Sequence, residues 1–259
     1  MSRINKAFEN KKAFIAFVTA GDPTLEKTKE YVLGMIKAGA DLVELGIPFS
    51  DPIAEGPVIQ TANVRALSNN VRTNNIFDLV REIRKETDVP LVFLCYLNTV
   101  FKYGYERFCE TCKEVGIDGI IIPDMPYEEK GELLPIAKAN DVDLITMIAP
   151  TSNERIREIA KDATGFIYVV SSLGVTGVRD AITTDVRAIV EEIKKVSDTP
   201  ACIGFGISKP EQVKEYTSYA DGAIVGSAIV KLCEKYGENA LEPITEYVSE
   251  MAKAAHGEA

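Results

Sequence analysis

Asp41-Leu-Val-Glu-Leu-Gly-Ile-Pro-Phe-Ser-Asp-Pro-Ile-Ala-Glu-Gly-Pro-Val-Ile-Gln60 carries the choices on which the fold and its chemistry turn. It opens as a short apolar strand, residues 42–45, with a carboxylate, Glu44, inside it. Strand side chains alternate faces, so Leu42 and Glu44 share one face and Val43 and Leu45 the other. A buried carboxylate costs free energy unless it is paired, protonated or used. The loop that follows is stiff and acidic, with Pro48, Asp51, Pro52, Glu55, Gly56 and Pro57. Pro48 and Pro52 hold it extended, and Pro57 suits the first position of a helix. One carboxylate thus stands at a strand end and a second on the adjoining loop.

On both sides of this stretch, short apolar runs alternate with helical periodicity. Residues 14–19 predict a first strand, stopped by Ala20-Gly-Asp-Pro23. Thr24 is placed to cap a helix over 27–38 with the apolar face Tyr31, Leu33 and Ile36, closed by Gly39. After the Glu44 strand come a short helix over 57–67 and a longer one from Thr73 or Asn75 to 85. Further strands are predicted at 90–96, 119–122, 144–148, 166–170, 201–203 and 223–225. The helices between and after them are predicted at 105–115, 127–139, from the Ser152 cap to 161, from the Asp185 cap to 196, 210–219, 227–236 and 241–252. A long polar loop fills 171–184. Near-continuous apolar strands are the pattern of a parallel sheet covered by helices. No composition break or linker divides the chain. Eight strand–helix units in one domain spanning 1–259 fit an α/β fold of the (β/α)8 TIM-barrel type, with a few extra helices, better than an open doubly wound sheet.

Net charge is -10 over 259 residues, with a pI near 4.9 and no cluster of Lys or Arg. A surface that tracks nucleic-acid phosphates is therefore not expected. The first residues lack the apolar core of a signal peptide, and no apolar run approaches a membrane span, so a cytoplasmic location is expected. The single histidine, His256, lies in a tail of small and charged residues. That removes Ser–His and Cys–His nucleophile systems and histidine-ligated metals, and no metal site is expected. Of five cysteines, Cys95 and Cys202 fall in apolar strands and behave as small hydrophobes. Cys109 and Cys112 read as two thiols one helical turn apart, because no second pair is nearby to complete a tetrahedral site. Acid–base work at neutral pH then falls to carboxylates, Tyr or Lys.

In a (β/α)8 barrel the active site lies at the carboxyl ends of the strands. Those ends carry Thr19, Glu44, Tyr96, Asp124 and Tyr168, and then turns rich in glycine. Glycines at 174–177, 204–206 and 226–227 follow strands six, seven and eight, where such barrels bind phosphate. Backbone N–H groups approach an anion closely at glycine, and a helix beginning near Ser227 adds its dipole. Tight turns also want glycine, so it is the three consecutive clusters that carry this expectation. Glu44, facing the interior at a strand end, reads as functional more than structural. Glu55 alone reads as a solvated loop carboxylate as readily as a functional one, and Asp124 as either catalytic or a cap on the strand-four turn. No lysine stands at a strand end, which argues against Schiff-base aldolase chemistry.

Phe17-Val-Thr-Ala-Gly-Asp-Pro23, Glu44-Leu-Gly-Ile-Pro-Phe-Ser-Asp-Pro52 and Gly56-Pro-Val-Ile-Gln60 resemble the tryptophan synthase alpha subunit family. So do Tyr168-Val-Val-Ser171, Gly174-Val-Thr-Gly177, Gly204-Phe-Gly-Ile-Ser208 and Gly226-Ser-Ala-Ile-Val230, in the family's order along the whole chain. The resemblance implies a lyase that cleaves indole-3-glycerol phosphate to indole and glyceraldehyde 3-phosphate. It makes Glu44 the proton shuttle and Glu55 the acceptor for the ring N–H, although the family pattern has Asp in place of Glu55. It makes Phe17, Leu94, Tyr96 and Ile224 walls around the indole, with Tyr168 and Asp124 in or beside the pocket. Gly177, Gly206, Gly226 and Ser227 match its phosphate cradle, and Thr176 a lid residue. Asp51 and Pro52 match a loop facing a beta subunit, in an alpha-beta-beta-alpha complex that passes indole to that partner. Pyridoxal phosphate belongs to the beta subunit, and this chain has no cofactor motif of its own. On the residues alone two other readings stay open. One is another phosphate-binding barrel, such as a sugar-phosphate isomerase or a flavin-dependent oxidoreductase. The other is a non-catalytic subunit that binds a phosphate ligand and activates a partner.

Overall fold

Eight parallel strands close into a barrel in chain order: β1 (Ala13–Thr19), β2 (Leu42–Gly46), β3 (Leu91–Leu94), β4 (Gly119–Ile121), β5 (Asp143–Ile148), β6 (Thr164–Val170), β7 (Ala201–Gly204) and β8 (Gly222–Val225). The structure is a computed structural model that describes residues 3–171 and 185–258. β1 pairs with both β2 and β8, which closes the ring, so the (β/α)8 barrel holds and the open sheet does not. The described helices are α1 (Arg3–Lys6), α2 (Leu25–Lys37), α3 (Pro57–Ser68), α4 (Thr73–Arg84), α5 (Leu97–Tyr103) and α6 (Tyr105–Val115) in the first half. In the second half they are α7 (Leu134–Ala139), α8 (Asn153–Ala160), α9 (Val186–Lys194), α10 (Pro210–Thr217), α11 (Ser227–Tyr236) and α12 (Leu241–His256).

The alternation along β2 places its residues as the sequence implies. Leu42 joins Ile15, Val92, Ile121, Phe166 and Ile224 inside the barrel. Val43 and Leu45 point outward into the larger core between strands and helices. Three expected caps form: Thr24 accepts from the Lys27 N–H, Ser152 from Arg155 and Asp185 from Ala188.

Several elements differ from expectation. The buried face of α2 is Tyr31, Val32 and Met35, with Leu33 and Ile36 only half-buried, because the helix rests on its neighbours along a stripe rotated from the expected one. Strand 90–96 stops at Leu94, and Tyr96 instead precedes α5, a helix the sequence did not reveal. The helix expected over 127–139 is broken into a 3-10 turn (Tyr127–Glu129) and α7. Pro135 accounts for the break: its ring opposes the carbonyl of the residue four earlier, Gly131. Short α1 was also unforeseen; its Ile4 is fully buried with Ala13 and Ile15 and plugs the amino end of the barrel.

That end is held by a repeated device. Asp41, Asp118 and Asp221 each stand just before an even-numbered strand and accept the backbone N–H of Phe14, Leu91 and Ala201, at or beside the start of the preceding strand. Each is also met by cations, Asp41 by Lys11, Asp118 by Arg3 and Arg84, and Asp221 by Lys12 and Lys194, and the His256 ring bonds Asp41 Oδ2 at 2.7 Å. The opposite, carboxyl end is left free for chemistry.

Candidate active site

The pocket at the carboxyl ends of the strands is built from β1, β2, β3, β5, β6 and β8 and the loops beyond them. Phe17, Glu44, Leu94, Tyr168 and Ile224 line it from the strands. Glu55, Gly206, Gly226 and Ser227 line it from the loops. Nine of the residues singled out in the sequence therefore meet around one cavity. An adjoining cavity of about 480 Å³ shares Ala54, Pro123, Met147 and Phe205 with it.

Glu44 sits in register with Phe17 on β1 and Val92 on β3. Its side chain is 1% exposed, and its Oε1 has no hydrogen-bond partner among the described residues. No basic side chain among the described residues lines the pocket to stabilise the anion. Desolvation therefore pushes the carboxyl up to about 8, so that it is mostly protonated at neutral pH. Thr19, at the end of the neighbouring strand, also has a buried hydroxyl oxygen without a partner among the described residues. Gly46, two residues past Glu44, lets the Phe17 ring lie where a Cβ would come within 2.7 Å of it.

Glu55 lies immediately before Gly56, the N-cap of α3, with Pro57 as the first helical residue. It is 6% exposed, not solvated. Burial raises its carboxyl to about 7, opposed by a hydrogen bond from Asn63 Nδ2 to Oε2 at 2.6 Å. Gln60 Nε2 donates to the Glu55 carbonyl at 2.7 Å and ties the loop to the first turn of α3.

Tyr96 and Asp124 stand behind this wall and do not line the pocket. The Tyr96 hydroxyl accepts the Ala54 N–H at 3.0 Å and its ring stacks on Phe49 at 4.9 Å, so it fixes the loop that carries Glu55. Asp124 Oδ1 accepts the Leu97 N–H at 2.8 Å at the start of α5, which makes it a cap. Tyr168 closes the floor against Gly204, where any Cβ would collide with its hydroxyl, and meets Phe205 edge-on at 5.9 Å.

Phe205 and Gly206 both adopt left-handed backbone, φ +78° and +75°, which shapes the turn after β7 and is unfavourable for a phenylalanine. α11 starts at Ser227 with no described side chain capping it, so its first N–H groups remain for a ligand at the pocket rim. Thr176 and Gly177, with Gly174, lie outside the described residues. Asp51 and Pro52 are on the outer side of the loop after β2, where Ser50 Oγ bonds Asp51 Oδ2 at 2.5 Å and Ile53 is 72% exposed.

Sequence reasoning missed Ala54, Ile59, Pro123, Met147, Phe205, Ile207 and Asn63. Met147 follows from β5 alternation once its register is known, since Ile145 points inward. Asn63 had a usable signal: an amide among Ile59, Ala62 and Ala66 on the buried face of a helix requires a partner. All described cysteines are free and buried. No group of three His, Cys, Asp or Glu fit for a metal exists among the described residues.

A closed parallel barrel with two buried carboxyl groups, one on a strand and one on the adjoining loop, facing the pocket at the carboxyl ends of its strands defines an enzyme of the (β/α)8 class. Residues 4–256 match the family described as "Tryptophan synthase alpha chain". The tryptophan synthase alpha chain of Lacticaseibacillus casei is 50% identical over 254 residues, 98% of this chain and 96% of that one. Among solved structures, tryptophan synthase subunit alpha from Legionella pneumophila superposes with a TM-score of 0.89 at 34% identity, covering 99% of each chain. A chain of the tryptophan synthase a2b2 complex from Pyrococcus furiosus gives 0.87 at 35% identity, covering 93% of this chain and 98% of that one. The chain belongs to the tryptophan synthase alpha chain family, a family of lyases.

Proposed function

We propose that this chain cleaves indole-3-glycerol phosphate to indole and glyceraldehyde 3-phosphate, with Glu44 moving both protons. The observation that carries the assignment of roles is the buried Glu44 carboxyl with an unpartnered oxygen, held protonated in a pocket without cations among the described residues. As an acid it gives its proton to ring carbon 3, and the ring becomes an indoleninium ion. Glu55 accepts the ring N–H and stabilises the charge that develops there. The Glu44 carboxylate then removes the proton of the adjacent side-chain hydroxyl. As the oxygen forms a carbonyl, the carbon–carbon bond breaks and its electron pair returns to the ring. Indole and the aldehyde result, and Glu44 ends protonated as it began.

Phe17, Leu94 and Ile224 hold the indole, with Tyr168 beneath it and Tyr96 acting through the loop. Gly206, Gly226 and Ser227 receive the phosphate on backbone N–H groups, with Gly177 and Thr176 assigned to the same end by resemblance. Asp124 contributes through its hold on α5. The work is acid–base chemistry by this chain's own carboxylates and calls for no cofactor or metal. The relative from Pyrococcus furiosus is part of an a2b2 complex, and a beta subunit is the partner assigned here. Asp51 and Pro52 would face it, beside Ile53 at 72% exposure and Phe101 at 67% on the loop and helix after β2 and β3. No helix among the described residues is long and apolar enough to cross a membrane, and the cytoplasm is the compartment proposed.

The purified chain, incubated with indole-3-glycerol phosphate, is expected to release indole and glyceraldehyde 3-phosphate in equal amounts, faster with a beta subunit present. Absence of both products in either condition, with the substrate still bound, would overturn the proposal.

A further inference from the structure

Buried in the wall of the pocket is an amide that the proposed chemistry does not use. Asn63 is 3% exposed on the inner face of α3, and its Nδ2 donates to Glu55 Oε2 at 2.6 Å. Among the described residues it makes the single hydrogen bond that opposes the effect of burial on Glu55. The other titratable groups at the pocket wall are Glu44 on β2, Tyr96 after β3, Asp124 after β4 and Tyr168 on β6, all acids that cannot stabilise a carboxylate by charge. Of the basic groups on the helices packed there, Arg65 of α3 is bound to Asp22 at 2.8 Å, and Lys231 and Lys235 of α11 are exposed. Two further contacts set the backbone at Glu55: Gln60 holds its carbonyl, and the Tyr96 hydroxyl holds the preceding Ala54 N–H. Neither reaches the carboxylate.

We infer that Asn63 is a positioning residue for the lyase reaction, holding one oxygen of Glu55 so that the other is aimed at the ring N–H. A glutamate has two torsions between its Cα and its carboxyl carbon, and a third that turns the carboxylate plane. With α3 rigidly placed, one fixed oxygen removes most of that freedom. The same bond favours the charged form of Glu55, the form that accepts a hydrogen bond from the ring. Asn63 thus serves orientation and ionisation together. The inference rests on the acceptor role proposed for Glu55.

The test is the pH dependence of kcat and KM for indole-3-glycerol phosphate cleavage by the chain with its beta subunit, in Asn63→Ala and in the size-matched Asn63→Leu. Removing the donor is expected to lower kcat with little change in KM. It should also move the acidic limb of the profile up by about one pH unit, because Glu55 then holds its proton to higher pH. In a Glu55→Asp background the carboxylate stops about 1.5 Å short of the amide. Adding Asn63→Leu there should leave both kcat and the limb unmoved, whereas a merely structural role in α3 would lower both backgrounds alike. Glu55→Gln separates the two ways of failing. If it abolishes turnover while both Asn63 variants keep the wild-type profile, the positioning role is overturned and the acceptor role stands. If Glu55→Gln turns over normally, both fall.

Discussion

At Glu44, burial and function pull in opposite directions, and stability should record the conflict. Folding raises the carboxyl from its ordinary value to about 8, so the folded state holds a proton that the unfolded chain releases. Stability from this group is whole below pH ~4.5 and falls as pH rises toward 8, where the buried anion appears. Glu44→Gln removes the cost. We expect the variant to match the wild type near pH 5 and to exceed it by a few kcal/mol near pH 9, read from denaturant unfolding at the two pH values. Equal stability of the two proteins at pH 9 would contradict the burial account. The sequence made Glu44 legible because a carboxylate inside an apolar strand carries a desolvation cost that packing does not return. It said less about Glu55, since a loop carboxylate is usually solvated. Only the packing of 55 against α3 shows that it is dry.

Among the elements, strands and caps were readable because their causes are local: an apolar run of three to seven residues, or a hydroxyl or carboxylate one position before a helix. What was not readable depends on distant neighbours. Tyr96 leaves the strand because its hydroxyl is called to the loop after β2, and α5 forms where Asp124, 27 residues on, accepts the Leu97 N–H. α1 has four residues and little propensity to stand alone; it exists because Ile4 fills the barrel end. The strand starts bring a testable claim. Asp118 Oδ2 accepts from Arg84 Nη2 at 2.7 Å and from the Leu91 N–H at 2.9 Å, with 6% of its side chain exposed. Asp118→Ala leaves that N–H and a largely buried guanidinium without the carboxylate. A loss of about 3 kcal/mol is expected, most of it from these two groups and little from the more exposed Arg3. Turnover per folded molecule should stay unchanged, because the site is at the other end of the barrel. A change in the denaturation midpoint worth under about 1 kcal/mol would show that the network is not structural.

Across the whole molecule the two ends of the barrel divide the work. The amino end is locked by aspartates paired with cations, and the carboxyl end holds the unpartnered Glu44 carboxyl, the left-handed turn at Phe205 and Gly206 and the exposed Ile53 and Phe101. That separation lets a stable scaffold carry a site whose two carboxylates are held against their preference for water. It also explains why the family resemblance runs through loop motifs: the barrel tolerates many apolar sequences, whereas the mouth needs particular residues. The most direct test of the central claim, that Glu44 is the proton shuttle, is turnover of Glu44→Gln in complex with the beta subunit, measured beside its affinity for a non-cleavable indole alkyl phosphate. The variant keeps the shape of the side chain and removes the transferable proton. We predict that kcat falls by about a thousandfold or more while affinity stays within about threefold of wild type. Turnover retained within about tenfold would contradict the account and move the proton transfers to another group.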